Sequence, residues 1–224
     1  MQDMRHFLSV LVVGLLVLSG CQRLGPPPSR SALSITEAQR VVDRLIGMGW
    51  LKYVPESKRK EVRSQLVVAA TRDCLDSDRD KNGVSADRRG YPADNEGLAK
   101  GGIGKCVLLM KPVLEREGVK LDAVEDNWHE EKYRVLINRE LYLIYDGKLA
   151  DSERTSLGRL LEIVNDLLEE TESSERLFAV YHGKNGRVIL LNEEIRDYVE
   201  SLGGTLGREW MPRSMEEVKS LAEP

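Results

Sequence analysis

Residues 75–105, LDSDRDKNGVSADRRGYPADNEGLAKGGIGK, carry six Gly, one Pro and no helical or alternating apolar pattern. Strong apolar periodicity lies on either side of them, so the fold has to be built from two flanking parts. A stretch this long without structure of its own is unusual in a compact domain unless something pins it. Its neighbours are Cys74 and Cys106, one at each end, where a covalent staple would act. In the chain-entropy account, closing such a loop stabilises by roughly 3–4 kcal/mol. The sequence therefore predicts a disulfide-closed loop.

Ahead of the loop, Ser34-Ile35-Thr36-Glu37 reads as a capping box. Ala38, Val41, Val42, Leu45 and Ile46 follow as one apolar stripe ending near Gly47–Trp50. A second helix is predicted from Ser57 after Pro55, with Val62, Leu66, Ala69 and Ala70 on one face, running into Cys74. Together they make a helical hairpin. Beyond the loop, VLLMKPVLEREG contains Pro112, and the spacing predicts a helix beginning near that residue, with an extended or helical lead-in.

YRVLI and LYLIY flank Asn138-Arg139-Glu140 and predict paired strands. Residues 152–170 predict a helix through Leu157, Leu160, Leu161, Val164, Leu167 and Leu168. RLFAVYHGKNGRVILL then carries Asn185-Gly186 between two apolar runs, a hairpin signal because both turn positions need φ > 0. Asn192 is placed to cap a helix carrying Ile195, Tyr198, Val199 and Leu202. Ser214-Met215-Glu216-Glu217 is a second capping box. The order from about residue 124 is thus β-β-α-β-β-α, which suits an α+β layer with a small antiparallel sheet. The expected organisation is one α+β domain over 34–224, with a helical part at 34–120 and a sheet-containing part at 121–224.

The chain begins MQDMRHFLSVLVVGLLVLSGCQ, an apolar run too short to span a bilayer comfortably, which takes about 20 apolar residues. Arg5 and His6 precede it and small residues follow, the shape of an export signal. Leu18-Ser19-Gly20-Cys21 resembles the lipobox of bacterial lipoproteins. That resemblance implies a signal peptide over 1–20, cleavage before Cys21, and diacylglycerol and acyl chains (palmitate among them) on Cys21. Such chains contribute about 0.8 kcal/mol per buried CH₂, so two or three anchor stably. Residues 21–33 contain Pro26-Pro27-Pro28 and form a semi-rigid spacer. The implied address is the cell membrane or outer membrane, with the globular part outside the cytoplasm. Gln22 after the Cys favours the outer membrane where a host has one. Export to an oxidising compartment also strengthens the case for a Cys74–Cys106 disulfide.

A formal net charge of −4, spread along 224 residues, provides no basic field for nucleic acid. The one basic triplet, Lys58-Arg59-Lys60, is flanked by Glu56 and Glu61. Asp76, Asp78 and Asp80 stand at positions 1, 3 and 5 of a loop resembling the EF-hand start, with Asp87 at position 12. Alternate spacing of carboxylates suits a hard cation such as calcium, with Asn82 as a further oxygen donor. Lys81 stands at position 6, where that family has Gly. A register starting at Asp78 restores Asn82 and Gly83 but puts Arg89 at position 12. Arg79, Lys81, Arg88 and Arg89 equally suit a solvated loop of mixed charge.

A cysteine hydrolase would need Cys74 or Cys106 beside His129 or His182, and no local signature marks one. Gly101-Gly102-Ile103-Gly104-Lys105 lacks both the spacing and the Ser/Thr of a phosphate loop. Trp128, next to His129, is a candidate contact for a ligand or partner. The sequence is best read as a lipid-anchored, non-enzymatic binding or assembly factor, contacting another envelope protein or a cell-wall component. A calcium-dependent module on residues 76–87 and an envelope hydrolase are the alternatives.

Overall fold

The computed structural model describes residues 33–129, 131–147, 152–180, 186–203, 206–207 and 210–220. The leader, Cys21, the Pro-rich spacer, His182 and Asn185 lie outside them. No helix among the described residues is long and apolar enough to cross a membrane.

The first two helices are α1 (Ile35–Gly47) and α2 (Glu56–Ala70). The capping box forms as expected: the Ser34 side chain accepts from Glu37 N, and the Glu37 carboxylate accepts from Ser34 N. Ala38, Val41, Val42 and Leu45 of α1 pack with Val62, Leu66, Val67 and Ala70 of α2 in one core cluster.

The stretch expected to be structureless forms three pieces. Strand β1 (Gly90–Pro92) comes first, then a helical turn α3 (Asn95–Gly97) capped by Asp94, then a wide turn over Leu98–Gly102. Helix α4 spans Ile103–Arg116, so it starts well before Pro112 and contains it. An interior Pro costs about 3 kcal/mol. Burial of Val107, Met110, Val113 and Leu114 outweighs it at about 1.5–3 kcal/mol each.

The remaining elements are β2 (Val124–His129), β3 (Lys132–Ile137), β4 (Glu140–Asp146), α5 (Ser152–Glu169), β5 (Glu175–Val180), β6 (Arg187–Asn192), α6 (Glu193–Ser201) and α7 (Met215–Ser220). They form two antiparallel three-stranded sheets, ordered β1-β6-β5 and β2-β3-β4. The fold is α+β, with two sheets where one was expected. β1 pairs with β6 at Gly90–Ile189, so the chain ahead of residue 120 supplies a strand to a sheet otherwise built near its end.

Burial explains the two strand patterns. Phe178, Val180, Ile189 and Leu191 face the α1–α2 cluster, while Leu177, Ala179, Val188 and Leu190 face a second cluster containing α4 and α5. Both faces of β5 and β6 are covered, hence their unbroken apolar runs. In β3 only Tyr133, Val135 and Ile137 are buried, and it alternates. Helix α5 packs against both β4 and β5. Asn192 caps α6 through Ile195 N at 2.8 Å, and Ser214 with Glu217 closes the box before α7.

Strand β2 is the element the sequence hides. Its middle residue Asp126 turns toward α4, where its carboxylate accepts from Gly104 N at 2.8 Å and Lys105 N at 3.1 Å. Tyr133 Oη also donates to it, and Ile103 N donates to that hydroxyl. The exposed donors of the helix start are thereby satisfied from a neighbouring strand. The Gly-rich run is the counterpart of that arrangement. A Cβ on Gly104 would sit 2.7 Å from the Asp126 carboxylate, and Gly101 (φ +89°) lies under the Trp128 side chain.

The disulfide does not form. Cys74 is a partly buried member of the α1–α2 cluster, and its thiol contacts Ala69 O at 3.4 Å. Cys106 is buried in the other cluster, with its thiol 3.4 Å from Pro92 O. The two sulfurs serve different cores as small apolar groups. Burial raises the ordinary value of the Cys74 thiol and, together with the nearby Asp126, pushes Cys106 up to about 12.

At pH 8 Cys106 stays far below its titration range and should resist iodoacetamide until denaturant is added. Mass spectrometry of non-reduced digests should show no Cys74–Cys106 peptide. Asp126→Ala should lower stability by about 1–2 kcal/mol in urea unfolding, the range for losing a helix cap.

Candidate functional site

An open cleft of about 670 Å³ lies where α2, the segment 78–91 and α4 come together. Lys58, Glu61, Val62 and Gln65 line it from α2, and Leu109, Pro112, Val113 and Arg116 from α4. The third wall is the segment with the clustered aspartates, and its shape depends on how these are spent. Asp80 accepts from Asn82 N at 2.8 Å and Val84 N at 3.1 Å, closing an Asx turn, and pairs with Arg88 at 3.3 Å. The two amides and Arg88 hold its carboxyl below the usual range against the opposing effect of burial.

Asp87 is buried. It accepts from Trp50 Nε1 at 3.1 Å, from Arg89 N at 2.9 Å and from the Ser85 hydroxyl. Asp76 pairs with Arg79, and Arg187 stands 3.6 Å away. Only Asp78 and Asn82 present side chains with no such engagement among the described residues. The expected calcium donors Asp76, Asp78, Asp80, Asn82 and Asp87 are therefore not gathered on one point. Among the described residues no three His, Cys, Asp or Glu side chains form a group that could hold a metal ion.

The Arg89 guanidinium, fully buried, lies 5.0 Å from the ring of Tyr53, a residue of the cleft lining. It donates to Glu175 at 2.8 Å, to Leu190 O at 2.7 Å, to Trp50 O at 2.8 Å and to Gly49 O at 2.9 Å. Lys52 also pairs with Glu175 at 2.8 Å and with Glu117 at 2.9 Å. Glu117 in turn accepts from Tyr53 Oη at 2.8 Å and Ser173 Oγ at 2.7 Å. Burial works to raise the Glu117 carboxyl, and these donors overcome it and hold it low. Tyr53 moves the other way, its hydroxyl raised chiefly by burial and next by the Glu175 charge. Through Tyr53, which lines the cleft, this network reaches the cleft wall.

His129 is exposed at the end of β2, and neither thiol donates to a His among the described residues. Trp128, 39% exposed, donates to Tyr145 Oη at 2.8 Å, and that hydroxyl donates to Ala99 O at 2.6 Å. It braces the turn before α4. Compared with known proteins, the chain matches no family model, no curated sequence and no solved structure. Nothing in the residue spacing points to the cleft, because its walls come from three separated segments.

Removing one partner of a buried pair leaves an uncompensated charge, which typically costs 3–5 kcal/mol. Arg89→Met should destabilise by about that much in urea unfolding. A Glu175→Gln change made on top of Arg89→Met should cost less than the same change in the wild type, because the carboxylate it removes then has only Lys52 as a cation partner.

Proposed function

We propose that this is a lipid-anchored cell-envelope protein, tethered through acylated Cys21, whose folded part binds a partner in the cleft between α2 and α4. The cleft carries the reading. Its volume falls within the range of ligand sites, about 300–1,000 Å³, and its walls combine aliphatic side chains with a few polar groups. Binding is favoured over turnover by the state of the groups nearby. Arg79 and Arg88 are neutralised by Asp76 and Asp80, and Arg116 is spent on the Lys52 and Tyr53 carbonyls. Both thiols are spent as core groups.

The Leu18-Ser19-Gly20-Cys21 run and the Pro-rich spacer support the tether. Mass spectrometry of the mature protein from a bacterial host should find diacylglyceryl-modified Cys21 as the first residue. Cys21→Ser should incorporate no alkyne-palmitate label. An unmodified Cys21, or cleavage at another site, would end the anchored reading.

A further inference from the structure

Resting on the cleft as the binding site, we propose that its ligand is an amphipathic monocarboxylate, its carboxylate held by Lys58 and Arg116 and its apolar body laid along α4. The two helical walls are built alike. On α2 the lining residues Lys58, Glu61, Val62 and Gln65 follow an i, i+3, i+4, i+7 spacing. On α4, Leu109, Pro112, Val113 and Arg116 repeat it. Each set is therefore one stripe turned to the cleft, and each has a cation at one end. The two cations stand at the same end. Arg116 donates to Tyr53 O at 3.1 Å and to Lys52 O at 2.9 Å, while Lys58 lies in the first turn of α2, its amide donating to Pro55 O at 2.9 Å.

Both cations keep their charge. Lys58 is exposed, and no carboxylate pairs with it among the described residues. The acceptors that hold Arg116 are neutral carbonyls and take only part of its fork of donors. Its neighbour Glu117 is turned to Lys52, Tyr53 and Ser173 instead. A guanidinium oriented by the backbone and left without a counter-ion is suited to a carboxylate. Glu61 and Asp78, exposed on the same lining, have no cation partner among the described residues and disfavour a second negative charge. The ligand is thus a monoanion rather than a phosphate dianion. Away from the cations, the half-buried Leu109 and the exposed Pro112 supply apolar surface, completed by Val62 and Val113. Leu109 and Arg116 are two helical turns apart, about 10 Å, which matches a medium-length alkyl chain. The volume of about 670 Å³ is that of a small-molecule site.

The test titrates octanoate into the full-length chain in nonionic micelles by calorimetry, with empty micelles as the blank. Octanamide, octyl phosphate and a short peptide ending in a free leucine carboxylate are run in parallel. Octanoate should bind about tenfold or more tightly than octanamide, the value of one charge-assisted hydrogen bond. Lys58→Gln gives up no contact within the protein, so it should melt like wild type. It should weaken octanoate about tenfold and leave octanamide unchanged. Arg116→Gln should act on octanoate in the same way. Leu109→Glu, in the apolar wall, should abolish binding of both, while the remote Leu141→Glu should affect neither.

No octanoate heat above empty micelles would overturn the proposal. Equal affinity for octanoate and octanamide, with both lost in Leu109→Glu, would overturn the carboxylate and leave the cleft reading intact. Tighter binding of octyl phosphate would overturn the monoanion, and tighter binding of the peptide carboxylate would overturn the small-molecule class. Octanoate bound equally by wild type, Lys58→Gln and Leu109→Glu would place its site elsewhere and end both the proposal and the cleft reading.

Discussion

One guanidinium holds together parts of the chain that share no local pattern. Arg89 reaches the end of the helical hairpin through Gly49 and Trp50, the strand β6 through Leu190, and the start of β5 through Glu175. A planar group with several donors in a rigid fork can satisfy that many acceptors at once, and an ammonium cannot. Burying a charge is expensive unless it is paired and hydrogen-bonded on every side. Here it is, and the same contacts set the position of β1 beside β6.

This arrangement explains why the region 75–105 is ordered without a disulfide. Long-range polar contacts do the pinning, supplemented by Ser85, Asp87 and Arg187, whose guanidinium donates to Gly83 O at 3.0 Å. Asp76, Asp80 and Asp87 of the loop are consumed in shaping it. These three, which look like metal donors when spaced along a sequence, are here acceptors for the loop's own amides, hydroxyl and arginines.

Both capping boxes, the paired β5 and β6 and the apolar stripes of α1, α2 and α5 were legible, because each rests on contacts between residues close in sequence or on a clear period. Strand β2 was not. Five of its six residues are exposed, and Asp126 stands opposite the buried Val135, so no apolar alternation marks it as a strand. Pro112 misled in the same way, since its local cost was visible and the burial of its neighbours was not. The staple was inferred from the ends of a segment, whereas the atoms that secure it lie as far off as Glu175 and Leu190. The cleft was the least legible feature, since Gln65, Asp78 and Pro112 meet only after the chain has folded.

The pairing of β1 with β6 carries a consequence for synthesis. Gly90 meets Ile189, and the Arg89 guanidinium cannot be neutralised until Glu175 has been made. Contacts of such sequence separation close slowly, because loop entropy is lost before they reward it. The helical hairpin can therefore begin to form on a nascent chain, but the central sheet waits for nearly the whole polypeptide. Until then the chain remains open, with the apolar stripes of α1, α2, α4 and α5 that later pack with β5 and β6 unprotected, the state in which a chaperone would recognise it.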